Sequence, residues 1–239
     1  MNVNGMIGIG GVVAILLVVG AALGLLDRKN FSFRWLLIAA GLVVLNDFLL
    51  TNGYRLIPDM IGGEWNWQGK ILALLATLSV ASLPAFGWRR AGLTAAQRRD
   101  GLWLTLLVAL IICAIFVGLA LLMPNEPLDG ETLAFQATMP GLEEEAFYTG
   151  ILLFALSEAF GGRVRFLGAE WSWAALLVAM LFGLAHAFGY SNDGFSFDPL
   201  TMLLTAGPAP LVYWLRQRSG SILLPVVLHN FANSIGHIL

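Results

Sequence analysis

Residues 143 to 150 read Glu-Glu-Glu-Ala-Phe-Tyr-Thr-Gly: three consecutive carboxylates at the mouth of an otherwise apolar stretch running from about Leu142 to Phe160. A charged side chain at the centre of a bilayer costs roughly 3 kcal/mol or more, so ionisable groups in such a stretch mark function by default. Whether the stretch lies in lipid depends on its surroundings. The chain has 239 residues, 58% hydrophobic and 12% charged, with a mean hydropathy of +0.80. A soluble domain carries about 25% charged residues, so half that content points to lipid as the solvent. The net charge of -2 argues against nucleic acid as a partner. Cys113 is the single cysteine and reads as an apolar filler.

Eight stretches come near the ~20 apolar residues that cross a bilayer: Gly5 to Leu26, Trp35 to Thr51, Ile71 to Trp88, Leu102 to Met123, Leu142 to Phe160, Trp171 to Gly189, Pro199 to Leu215 and Ser221 to Leu239. They predict an all-α, polytopic membrane protein of about eight transmembrane helices. The first 27 residues hold no Lys or Arg, so the first stretch is expected to be a retained helix and not a cleavable signal. Basic residues accumulate on the cytoplasmic side of a membrane. The connections after stretches one, three, five and seven hold Arg28, Lys29, Arg34, Arg89, Arg90, Arg98, Arg99, Arg163, Arg165, Arg216 and Arg218; those after two, four and six hold Arg55 and Lys70. This alternation predicts both termini outside, in a plasma or bacterial inner membrane.

The connection from Pro124 to Pro140, with Glu126, Asp129 and Glu131, reads as a solvated external loop or a lid. Trp65, Trp67, Trp171 and Trp173 fall near predicted helix ends, where indoles favour the headgroup level. Gly207-Pro208-Ala209-Pro210 should kink the seventh stretch, because neither proline donates to its own helix.

Three apolar stretches carry polar residues that need a reason. The fifth has Glu143, Glu144 and Glu145, the sixth ends in Phe182-Gly-Leu-Ala-His186, and the eighth contains His229-Asn-Phe-Ala-Asn233. Positions four apart share a helix face with about 6 Å of rise, so His229 and Asn233 project together. The predicted topology brings all of these to the outer half of one bundle, as a polar cavity between helices five, six and eight. A carboxylate and an imidazole can activate water, while His and Asn can donate to an oxygen that becomes negative during attack on a carbonyl. Those parts suffice for amide hydrolysis without a covalent intermediate or cofactor. Two histidines and a glutamate can also hold zinc, though the compact His-Glu-x-x-His form is missing. Interhelical hydrogen bonding, helix capping by the glutamates, and a proton relay in a transporter are other uses of the same groups.

The pattern resembles the CAAX protease and bacteriocin-processing family (CPBP or Abi proteases), which includes the Ras-converting endopeptidases. The family motifs Glu-Glu-x-x-x-Arg-Gly, Phe-x-x-x-His and His-x-x-x-Asn/Asp correspond here to Glu144-Glu145-Ala-Phe-Tyr-Thr149-Gly150, Phe182 to His186, and His229 to Asn233. The resemblance covers about residues 140–239 of a single transmembrane domain, 1–239; residues 1–139 add four helices of compatible hydropathy. It implies a glutamate-dependent intramembrane endopeptidase acting on a protein or peptide substrate in the lipid bilayer. By it, Glu144 is the general base, His186 helps hold the water, and His229 and Asn233 form the oxyanion site, with Glu145, Thr149 and Phe182 in support. Thr149 stands where the family has arginine, so the cation that would balance the glutamates is missing from the motif. A protonated glutamate, a cation from elsewhere, or a non-catalytic binding or immunity role each answers that departure; the first is the expectation adopted.

Overall fold

The computed structural model describes residues 3–122 and 129–239. The eight apolar stretches all become helical, in a mostly helical chain. In order these are α1 (Val3–Leu26), α2 (Phe33–Thr51), α3 (Trp67–Ala81), α4 (Leu102–Leu122), α5 (Gly130–Gln136), a π-helix (Gly141–Leu152) continuing into α6 (Leu153–Ala159), α7 (Trp173–Ala187), α8 (Pro199–Ala206), α9 (Ala209–Ser219) and α10 (Leu223–Ile238). Among the described residues, α1, α2 and α4 are long and apolar enough to cross a membrane. α4 buries only Thr105 and Ala109, while Trp103, Leu110 and Leu122 stand exposed. A helix this apolar with so little of it covered is solvated by lipid tails, which makes this a membrane protein.

Several boundaries depart from the hydropathy pattern for local reasons. The third stretch was expected to reach Trp88, but α3 stops at Ala81. Pro84 disfavours helical backbone at Leu83, and Gly87 takes a φ of +79°. The seventh stretch does more than kink: Gly207 and Pro208 separate α8 from α9. α9 ends at Gly220, whose φ of +72° gives the left-handed cap that favours glycine. The sixth helix is shorter at both ends than Trp171 to Gly189, because short hairpins flank it. β1 (Val164–Phe166) pairs with β2 (Ala169–Trp171), and β3 (Phe188–Ser191) with β4 (Gly194–Phe197). The first turns on Leu167 and Gly168, both at positive φ, a two-residue connection suited to strand twist. These hairpins qualify the all-α expectation; at three or four residues per strand they leave no alternation for a sequence pattern to show. The connection read as an external loop contains α5, begun by Asp129, whose carboxylate accepts from Thr132 N. Residues 123–128, with Glu126, lie outside the described residues.

The connections fall into two sets. Ser32 N donates to Ala159 O at 2.8 Å and Gly161 N to Asn30 O at 2.7 Å, joining the connections after α1 and α6. Arg98 N donates to Ser219 O at 2.8 Å and Ile222 N to Gly92 O at 2.9 Å, joining those after α3 and α9. These are the basic connections. On the acidic side, the backbone N–H groups of Glu64 and Trp65 reach the Glu131 carboxylate at 3.0 and 3.2 Å. Trp65 and Trp67 pack on Phe135 with ring centroids 4.8 and 5.0 Å apart. The two indoles therefore clamp α5 to the start of α3, a role beyond membrane anchoring.

The main core is formed by Leu16 of α1, Leu36 and Ala39 of α2, Leu152 of the π-helix, Leu156 of α6, and Leu177 and Leu181 of α7. The π-helix packs against α3 on one side and α10 on the other. Gly141 allows the second contact: a Cβ there would sit 2.5 Å from Asn230 Oδ1 and 2.6 Å from Val226 O.

Candidate active site

Three adjacent glutamates on one helix cannot share one face, so their charges need partners in more than one direction. Hydrogen bonding from i to i+5, which makes the turn wider than an α-turn, carries the backbone past Glu143, Glu144 and Glu145. Local widening of this kind occurs frequently at functional sites. Glu143 and Glu144 turn toward α3, where Lys70 Nζ lies 2.7 Å from Glu143 Oε2 and 2.6 Å from Glu144 Oε1. Lys70 is only 13% exposed and Glu143 is fully buried. Lys70 was counted with the outer connections, but α3 starts at Trp67, three residues before it, with the Asn66 side chain accepting from Gly69 N. The cation absent from the motif thus comes from another helix.

Glu145 turns the other way. Its Oε1 accepts from His229 Nδ1 at 2.8 Å, and its Oε2 accepts from Thr149 Oγ1 at 2.9 Å. Thr149 therefore supports Glu145 and does not touch the lysine-bound pair. A carboxylate can only accept, so His229 carries a proton on Nδ1 and turns Nε2 to Glu144, 3.7 Å from Oε2. One position along α10, Asn230 Oδ1 accepts from Gly141 N at 2.7 Å and fixes the start of the π-helix. One turn beyond His229, Asn233 Nδ2 donates to Gln136 Oε1 of α5 at 3.3 Å.

His186 occupies the last turn of α7. Its Nδ1 lies 2.8 Å from Phe182 O; a carbonyl only accepts, so Nδ1 bears the proton and Nε2 keeps its lone pair. The Phe182 ring supports both imidazoles, with centroids 4.7 Å from His186 and 6.2 Å from His229. Glu144, Glu145, Thr149, Phe182, His186, His229 and Asn233 all border one cavity of about 490 Å³. Its remaining wall is mostly apolar, with Phe116 of α4, Val178 of α7, Leu204 of α8 and Leu228 of α10 among the residues lining it.

Sequence reasoning missed Lys70, Gln136 and Tyr148. Tyr148 borders this cavity and a second one of about 400 Å³ that also reaches Asn46 and Asp47 of α2. The available signal for Lys70 was its isolation, as one of two basic residues assigned to the outer connections. Among the described residues, no three of His, Cys, Asp and Glu are grouped as a metal-ligand set.

The arrangement offers a carboxylate beside a lysine, an imidazole with an open Nε2, and a second imidazole one turn from a carboxamide, all bordering one cavity. In comparison with known proteins, residues 131–235 fit the family model of the type II CAAX prenyl endopeptidases, Rce1-like. No curated protein and no solved structure matches the chain. The matched region begins at α5, contains all three motifs, and leaves Lys70 outside it. The resemblance carried by Glu144, His186 and His229 falls within that match: residues 131–235 are similar to the Rce1-like type II CAAX prenyl endopeptidases.

Proposed function

We propose that the protein is an intramembrane endopeptidase that hydrolyses a peptide bond of a membrane-associated or peptide substrate with activated water. The observation that carries this reading is the His229 ring, bonded to Glu145 through Nδ1 and facing Glu144 through Nε2, in the cavity that His186 and Asn233 share. Glu144 takes the proton of a water held between its carboxylate and the open Nε2 of His186. The hydroxide attacks the scissile carbonyl carbon. Asn233 Nδ2, and His229 Nε2 when the ring is doubly protonated, donate to the oxygen that becomes negative, and the proton on Glu144 passes to the leaving amine. No covalent intermediate forms, and no metal takes part.

The basic connections face the cytoplasm in this reading and both termini lie on the other side, as the multi-pass topology read from charge requires. Reporter fusions after Arg98 and Asp129 test that orientation; Arg98 outside would overturn it. Catalysis is tested by comparing membrane peptides from cells carrying the wild type and Glu144→Gln. Peptides that appear only with wild type are expected, and undiminished cleavage in the variant rejects the assigned base. Activity lost on chelation and restored by zinc would replace the water-activating carboxylate with a metal.

A further inference from the structure

We infer that Lys70 is a positioning residue for the reaction: from α3, outside the family-matched region, it holds the Glu144 carboxylate in place and ionised, a task that no residue at position 149 performs here. This rests on the proposed hydrolysis and adds a residue that neither the motifs nor the family match includes. Lys70 Nζ touches both Glu143 and Glu144 at 2.7 and 2.6 Å. Among the described residues it is the only lysine or arginine in an ion pair with any of the three glutamates. Thr149 bonds Glu145 alone, and a hydroxyl carries no charge. Without Lys70, Glu143 and Glu144 would be two neighbouring carboxylates facing each other in a poorly solvated site, where one proton is the cheap remedy. A protonated Glu144 accepts no proton from water. Glu143, fully buried, shares the ammonium with Glu144.

The groups that surround the Glu144 carboxylate are Lys70 of α3, Glu143, Glu145 and Tyr148 of the π-helix, His186 of α7 and His229 of α10. Asp47 of α2 lies behind Tyr148 and Tyr213 of α9 borders the same cavity. Lys70 is the permanent cation of this set.

The test is the pH dependence of kcat/KM on an internally quenched, prenylated CAAX peptide, measured with the full-length protein in detergent micelles. Lys70→Met is expected to move the acid limb to higher pH by about one to three units, the usual effect of one close opposite charge. Turnover one pH unit below the displaced limb is then about tenfold under its alkaline plateau, and it recovers as pH rises through the limb. Lys70→Arg keeps the charge and holds the limb near that of the wild type. Glu143→Gln leaves the ammonium to Glu144 alone and moves the limb the opposite way. Limbs coinciding with wild type in Lys70→Met and Glu143→Gln would overturn the inference. If Lys70→Met cannot be extracted folded, Lys70→Arg and Glu143→Gln still decide: an unmoved Glu143→Gln limb overturns it. Glu144→Gln, run alongside, separates the two levels, because activity surviving in that variant sinks the hydrolytic reading itself, whatever Lys70 does.

Discussion

Asn230 Oδ1 accepts the backbone hydrogen of Gly141 at 2.7 Å, so the residue next to His229 on α10 fastens the first turn of the helix that carries Glu144. Asn230→Ala strands that buried N–H and is expected to cost about 1–3 kcal/mol. Unfolding in detergent, followed by circular dichroism, measures it. An unchanged melting temperature would mean the contact does not hold the helices together.

Two glycines of the same helix should respond oppositely to alanine. At Gly141 a Cβ would collide with Asn230 Oδ1 and Val226 O, forcing α10 away and separating His229 from Glu144. At Gly150 the nearest atoms lie 3.5 Å or more from the added carbon. Gly141→Ala is therefore expected to abolish peptide cleavage, while Gly150→Ala keeps it and stabilises by about 0.5–1 kcal/mol through the unfolded chain. Parallel cleavage assays and melts check the pair.

Thr149→Val preserves shape and removes the hydroxyl that donates to Glu145. Losing a hydrogen bond to a charged group should cost about 1.5–3 kcal/mol of stability. With Glu145 freer to move, His229 is less well aimed, and kcat is expected to fall about tenfold, equivalent to ~1.4 kcal/mol at the barrier. A variant as active as wild type would show that Glu145 orients His229 without this support.

α5 should loosen in acid. The backbone N–H groups of Trp65 and Glu64 hold the Glu131 carboxyl below its ordinary range, aided by the Trp67 indole. A carboxyl lowered in the folded state adds stability that is fully present above its unfolded pKa, about 4.3. That contribution is lost as pH falls through the lower folded value. The fluorescence of Trp65 and Trp67 is expected to change below about pH 4 in the wild type. Glu131→Gln should remove that step. Its persistence in the variant would assign it to another group.

Chelation is expected to leave activity intact, since Glu144 and His186 act on water directly in the proposed mechanism. Protein dialysed against EDTA and assayed on the same prenylated peptide checks this.

The residues bordering the cavity were legible because motif spacing survives any uncertainty in helix ends. Phe182 and His186, like His229 and Asn233, are one turn apart wherever their helix begins. Lys70 was not legible, since hydropathy treats a lysine beside an apolar stretch as a loop residue. Only the Asn66 cap and the packing of α3 on the π-helix turn it inward. The basic connections read from charge do meet one another, through pairs such as Ser32 with Ala159 and Arg98 with Ser219. The hairpins on either side of α7 were invisible because their strands are too short to alternate. The early end of α3 was marked by Pro84, but the apolar residues around it concealed the break.

α7 has 15 residues, which at 1.5 Å each is about 22 Å, against a hydrocarbon layer of about 30 Å. α1 and α4, with 24 and 21 residues, reach roughly 36 and 31 Å by the same rise. Most of α7 is covered by the rest of the fold, with nine of its 15 residues buried, and its last turn carries His186. In the proposed hydrolysis, a helix about 8 Å short of the hydrocarbon layer leaves its last-turn imidazole recessed from the level the longer helices reach, so the cavity itself has to admit the water that each turnover consumes.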